Sequence, residues 1–145
     1  MTYNQLISAL QTLLESHAMI KTVKEATPAE WLNRGGVPDF PICCFEVIEG
    51  SYNVGREQVY NIQFFFLDKS GGEQIEIEAE VISDQWQTAQ DIISLIRGTR
   101  RAFTIDENIT IRPIRQKYED YLSGVEFTTN ITTQSDFDGC DVPTI

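Results

Sequence analysis

Apolar residues recur at helical spacing at the start of the chain. Leu6, Ile7, Leu10, Leu13 and Leu14 form one stripe of a helix. Thr2-Tyr3-Asn4-Gln5 fits a capping box ahead of it, with Met1 and Leu6 placed for a hydrophobic staple. The helix is expected to fade near Ser16 and His17, and Ile20 to Lys24 to form a short strand. The stretch ATPAEWLNRGGVPDFP then breaks the pattern. Pro28 suits the opening of a single helical turn, while Gly35-Gly36, Pro38 and Pro41 predict loop. This loop is long for a connection in a small domain, and long loops are often where binding happens.

From Ile42 the period becomes two. ICCFEVIE (Ile42 to Glu49) sets Cys43, Phe45 and Val47 opposite Ile42, Cys44, Glu46 and Ile48, and GSYNVG (Gly50 to Gly55) reads as a turn or projecting hairpin tip. The return arm, QVYNIQFFFLD (Gln58 to Asp68), begins as a half-buried strand and then abandons that pattern. Tyr60, Ile62, Phe64 and Phe66 line one face, and Phe65 and Leu67 leave on the face of Asn61 and Gln63. Something must cover that second face where it turns apolar, either a part of the same chain or a neighbouring subunit.

After the turn KSGG, EQIEIEAEVI (Glu73 to Ile82) alternates strictly, which predicts a strand with Glu76, Glu78 and Glu80 on its outer face. Ser83-Asp84 caps a second helix running to about Arg97, with Ala89, Ile92, Ile93 and Ile96 as its stripe. Phe103 to Arg115 and Gly124 to Thr132 are two further strands, joined by QKYEDYLS. This order predicts a single α+β domain over residues 1–145, with a largely antiparallel sheet, two main helices on one face, and 133–145 as an extended C-terminal arm.

Composition narrows the class. A chain of 145 residues that is 41% hydrophobic and 23% charged is an ordinary single globular domain. No apolar run approaches the roughly 20 residues of a membrane span, and the N-terminus lacks the layout of a signal peptide, so a cytoplasmic origin is expected. The net charge of −11 argues against wrapping nucleic acid on the outer surface. It suits the wall of a lumen that passes DNA without binding it, and equally suits plain solubility.

No reactive constellation emerges. His17 is the one histidine, at a helix end where a structural role is common. Cys43 and Cys44 point to opposite faces of a strand and make a poor metal pair; with Cys140 they read as reduced thiols. There is neither a GxGxxG nor a GxxxxGK[ST] motif. Asp136, Asp138 and Asp141 around Gly139 lack the further ligand and distal Glu of a calcium loop. No catalytic, cofactor or metal residues are assigned. Trp31 in the long loop and Tyr52 at the hairpin tip suit subunit contacts, since aromatic side chains are enriched at interface hot spots. Phe65 and Leu67 join them if a neighbour covers the second face.

The N-terminal amphipathic helix, FPICCFEVIEGS, the strand ending FFFLD, the helix SDQWQTAQDIISLIRG, YEDYLSGVEFTTNITT and the tail DGCDVP together resemble the tail terminator (tail completion) proteins of tailed bacteriophages and related head–tail connector proteins. The resemblance spans nearly the whole chain and lies in element order and short phrases. It implies a non-enzymatic virion protein, a small subunit of a closed ring at the tail end or neck, with a hexamer favoured and a dodecamer possible. Tail tube and head connector proteins would be its partners, assembly would occur in the host cytoplasm, and no membrane would be involved. The FPICCFEVIEGS strand and its QVYNIQFFFLD partner would be the hairpin around which subunits pack, with DGCDVP as a peripheral arm. The alternative is a small cytoplasmic binding module or assembly chaperone that takes a strand or client on an exposed apolar sheet face.

Overall fold

Helix α1 (Tyr3–Glu15) starts where the sequence places it. The Thr2 hydroxyl accepts from the Gln5 N–H at 3.2 Å, and the Gln5 side-chain oxygen accepts from the Thr2 N–H at 2.7 Å, so both halves of the capping box form. Leu6, Leu10, Leu13 and Leu14 are buried along one stripe. The computed structural model describes residues 1–33, 38–70, 75–98, 103–117 and 122–134.

Strand β1 (Thr22–Glu25) and a short helix α2 (Pro28–Asn33) precede the long strand β2 (Ile42–Asn53). A turn at Val54–Arg56 leads into β3 (Glu57–Lys69), which pairs back on β2 from Asn53↔Glu57 to Ile42↔Leu67. Gly55 (φ 85°) and Arg56 (φ 63°) both take left-handed backbone at this tip. Gly tolerates that at no steric cost, whereas Arg56 carries a Cβ there at a cost of roughly 1–2 kcal/mol. Helix α3 (Ile75–Gly98), β4 (Phe103–Ile105), β5 (Ile111–Lys117) and β6 (Leu122–Gln134) complete the chain.

The strands form one six-stranded sheet in the order β1-β2-β3-β6-β4, with β5 also on β6. β1 pairs parallel to β2; the other pairings are antiparallel. β6 thus lies between β3 on one side and, on the other, β5 toward its start and β4 toward its end. The architecture is the expected α+β domain, and α1 and α3 both pack on one sheet face. Their leucines and isoleucines meet Cys43, Phe45, Ile62, Phe64, Phe66, Val125, Phe127 and Ile131. Phe64 stacks on Phe127 at 4.9 Å between centroids, flanked by Phe45 and Phe66 at 6.0 and 5.8 Å in the same stack.

Three expectations change. The strand expected over Glu73–Ile82 gives way to a helix: its described part, Ile75–Ile82, is the first third of α3. Strict alternation scored a period of two, but Glu, Ala and Gln are strong helix formers and glutamates are favoured in the first turns by the helix dipole. On the longer scale Glu78, Gln85, Ala89, Ile92, Ile93 and Ile96 bury one helical stripe, and Ser83-Asp84 lies inside the helix, not at its cap. The single strand expected over Phe103–Arg115 is two strands, β4 and β5, broken at 106–110. β6 also runs on to Gln134 with Thr133 buried, so the first residues of the expected 133–145 arm belong to the sheet. The rest of that arm, with Asp136, Asp138, Cys140 and Asp141, lies outside the described residues.

Gly124 shows how tightly β6 meets β3. A Cβ added there would stand 1.8 Å from the Phe66 carbonyl oxygen and 3.1 Å from the Leu67 Cα, both backbone atoms of a central strand. Gly124→Ala is therefore expected to destabilise the fold by about 3 kcal/mol or more, since overpacking against rigid backbone costs at least the usual 1–3 kcal/mol. Urea unfolding followed by far-UV circular dichroism checks this; an unchanged midpoint would show that the two strands separate cheaply.

Candidate interaction surface

The second sheet face has two characters, and the chain accounts for both. At one end Ile42, Cys44, Phe65, Leu67, Ile114 and Leu122 form a separate buried cluster. Trp31 of α2 and Phe40 pack over it, and the Lys69 ammonium sits 5.1 Å from the centre of the Phe40 ring. At the other end the face is wet. The Asn61 amide donates to Asn130 Oδ1 at 3.0 Å, and the Gln63 amide to Glu126 Oε2 at 3.4 Å. The cover stops where the side chains turn polar.

The four expected contact residues therefore separate. Phe65 (7% exposed) and Leu67 (0%) are covered by their own chain, on the face away from α1 and α3. The neighbour expected over them is not needed there, because the α2 segment and β5 already supply the apolar cover. Trp31 is part of that cover, half-buried against the same cluster. Tyr52 stands apart. It pairs with Gln58, seven residues along β3 from Phe65, which is about 24 Å of strand.

Tyr52 is 56% exposed and has exposed apolar company: Ile48 (52%) and Val54 (102%). β2 is exposed from Ile48 onward. A register shift between Val47 and Glu49 marks a bulge at Ile48 that adds local twist to the strand. Sequence reading pointed to Tyr52 and to a hairpin tip. It missed Ile48 and Val54, and a bulge has no reliable sequence signal.

β3 is an inner strand, paired along its length with β2 and β6, so no free edge lies beside QVYNIQFFFLD itself. The open edge is on β2. β1 pairs with β2 only from Ile42 to Phe45, and beyond that no described strand takes the outer side of β2.

Elsewhere the surface offers little chemistry. A polar groove of about 610 Å³ runs between α3 and residues 107–111. Arg97 on its wall is committed, donating to the backbone carbonyls of Asp106 (2.9 Å) and Glu107. A smaller hollow of about 460 Å³ is bounded by His17, Asp91, Ser94, Leu95 and Gly98. The set of Ser, His and Asp there invites a catalytic reading, but the hydrogen bonds oppose it. The Met19 N–H donates to His17 Nδ1 at 3.1 Å, which assigns the proton to Nε2, and Nε2 lies 2.9 Å from Asp91 Oδ2. Both ring nitrogens are engaged, so His17 has none left to serve as a base.

Burial pushes both described thiols up, that of Cys44 to about 12, which leaves them protonated and unreactive. Cys43 joins the helix-side core and Cys44 the second cluster, the opposite facing that their adjacency predicts. Among the described residues no group of His, Cys, Asp or Glu is arranged to hold a metal ion. Among the described residues, too, no helix is long and apolar enough to cross a membrane.

No protein-family model and no curated protein matches the chain. The geometry of the surface therefore has to speak for itself.

The His17–Asp91 contact ties the end of α1 to the middle of α3 and has a pH signature. The His17 hydrogen bond, aided by one from Gln87, holds the Asp91 carboxyl below its usual range. A depressed folded-state value stabilises above the ordinary Asp value of about 3.9 and is lost as pH falls below it. Asp91 is 43% exposed, so the gain is screened. His17→Ala is expected to cost about 1 kcal/mol at pH 7 and to reduce the drop in stability between pH 6 and pH 3. Denaturation midpoints at both values test this, and an identical drop in both proteins would remove Asp91 from the account.

Proposed function

We infer that the chain is a structural subunit of a tailed-bacteriophage virion, assembling into a ring at the tail end or head–tail junction. The observation that carries this reading is the β2–β3 hairpin. Its distal half projects Ile48, Tyr52 and Val54 into water and leaves the outer side of β2 without a described partner strand. Exposed apolar side chains gathered on one projecting element mark an interaction surface more than a stability device. The hairpin is built from two of the segments that carry the resemblance to tail terminator proteins, FPICCFEVIEGS and the strand ending FFFLD. The lack of a free histidine nitrogen or an accessible thiol among the described residues fits a role in assembly.

On this reading a closed ring uses a heterologous contact, in which the hairpin of one subunit meets a different patch on the next. Six subunits is the favoured number and twelve the alternative. The acidic surface, with 22 acids against 11 bases, lets DNA pass a lumen without adhering. A small strand-accepting module or assembly chaperone is the competing reading, and the open edge of β2 would serve it as well.

Two measurements decide between them. A virion subunit is expected in purified particles at a small fixed copy number, with rings visible by electron microscopy of the protein or of the particle neck. A chaperone acts during assembly and is left behind, so a protein abundant in infected-cell lysate and missing from washed particles would overturn the structural reading.

A further inference from the structure

We propose that the hairpin tip of one copy seats in the hollow at the end of α1 of a second copy, with Val54 against Leu95 of the partner subunit and Arg56 beside Asp91 of the partner subunit. The inference names the patch that the hairpin meets, and it rests on the reading of the chain as an assembling subunit.

The tip is built under strain. Val54 is fully exposed, and the whole turn Val54–Arg56 stands in water. Arg56 holds left-handed backbone (φ 63°), a conformation that Gly or Asn takes more cheaply. Among the described residues no hydrogen bond or ion pair engages its guanidinium, so the strain serves no contact there. Strained residues of this kind gather where a chain meets a ligand or a partner. Glu57, next along, leaves the turn and starts β3 in register with Gln134. The tip therefore presents one apolar side chain and one cation, on a chain with 22 acids against 11 bases.

Such a tip fits an apolar hollow with a carboxylate at its rim. The hollow bounded by His17, Asp91, Ser94, Leu95 and Gly98 has that character. Its volume of about 460 Å³ falls within the roughly 300–1,000 Å³ of clefts that take a ligand. Leu95 is an exposed apolar wall, and Met19, also exposed, follows His17 closely. A Cβ placed on Gly98 would meet nothing within 4 Å, so that side is open. Asp91 supplies the charge, because its hydrogen bonds with His17 and Gln87 keep the carboxyl ionised. Arg97 is turned elsewhere, onto the carbonyls of Asp106 and Glu107. The larger groove beside residues 107–111 is mainly polar and suits Val54 less well.

The occupant is another copy. The ladder from Ile42↔Leu67 to Asn53↔Glu57 holds the tip at the end of β2 remote from Ile42. His17 lies at the opposite end, five residues before Thr22, which pairs with Ile42. Tip and hollow are different patches, so the contact is heterologous and repeats from copy to copy, closing a ring where the rotation permits.

The test uses the whole chain. Val54→Ser with Arg56→Asn blunts the tip, and Leu95→Arg blocks the hollow with bulk and a charge of the same sign as Arg56. All three positions are exposed, and Asn relieves the left-handed strain. Both variants should fold as the parent does, the tip variant with an unchanged or higher urea midpoint. Each should weaken self-association about tenfold or more in sedimentation velocity. Mixed, they should associate again but stop at a one-to-one dimer, because the mixture retains one intact tip and one intact hollow. Association as strong as the parent's in either variant, or a mixture no better than its components, would overturn the inference. If the parent itself sediments as a monomer, Val54→Cys is mixed with Leu95→Cys in a Cys140→Ser background and oxidised. A disulfide-linked dimer that needs both partners supports the contact, and none at millimolar protein refutes it. This contact in a protein missing from virions would sink the phage reading and leave the contact intact. Rings in virions indifferent to both variants would do the reverse.

Discussion

Strand β3 sends Phe64 and Phe66 to one side of the sheet and Phe65 and Leu67 to the other, so one end of the sheet requires apolar cover on both faces. Each such side chain left in water would forgo about 1.5–3 kcal/mol of burial. The rest of the architecture follows from meeting that demand within one chain. α1 and α3 cover the Phe64 face, where their leucines and isoleucines close over the stacked phenylalanines. Neither helix reaches the other face. The segment between β1 and β2 does so instead, with Trp31 and Phe40, helped by Ile114 of β5. A loop that looked long for a connection is long because it has to cross to the far side of the sheet.

The parts of the fold set by local physics were legible in the sequence. The capping box at Thr2 and Gln5, the leucine stripe behind it and the opposite facing of Cys43 and Cys44 needed nothing beyond residue type and spacing. Two features were not legible, for different reasons. In IEIEAEVI the alternation of apolar and acidic residues satisfies a strand template over eight positions. The helical stripe that competes with it appears only when the window reaches Ile96, and it includes Glu78 and Gln85, polar residues no one would place in a core. Glu78 Oε1 and Gln85 Oε1 are buried without a partner among the described residues, so burial there follows from the position on the helix and not from the chemistry of the side chain. The second unread feature was the cover over Phe65 and Leu67. One sequence says that a face needs covering but not which distant segment will arrive, and a neighbour was the simplest alternative.

The candidate surface was half legible. Tyr52 stood out as an aromatic in a turn-rich stretch. Trp31 stood out as a tryptophan in the long loop, and Phe65 and Leu67 as apolar side chains on an otherwise polar strand face. Phe65 and Leu67 are buried within the chain, as large apolar side chains usually are, and Trp31 is half-buried against their cluster. What distinguishes Tyr52 is its place along the hairpin, on the part of β2 that is exposed from Ile48 onward.

That separation bears on how assembly and stability relate. The residues that fold the chain, from Ile42 to Phe45 on β2 and Ile62 to Leu67 on β3, lie at one end of the hairpin. The exposed apolar residues and the open edge lie at the other. Changes at Ile48, Val54 or Glu49 touch no buried cluster, so they alter what the hairpin meets with little effect on whether the domain folds. A surface joined to the core through side chains shared by both would not allow this, because each change in the contact would also loosen the fold. The two ends are connected instead by backbone, along ladders that run unbroken from Leu67 to Glu57 on β3 and across to β6. The hairpin has β6 along its inner side, and among the described residues no strand lies on its outer side beyond Phe45.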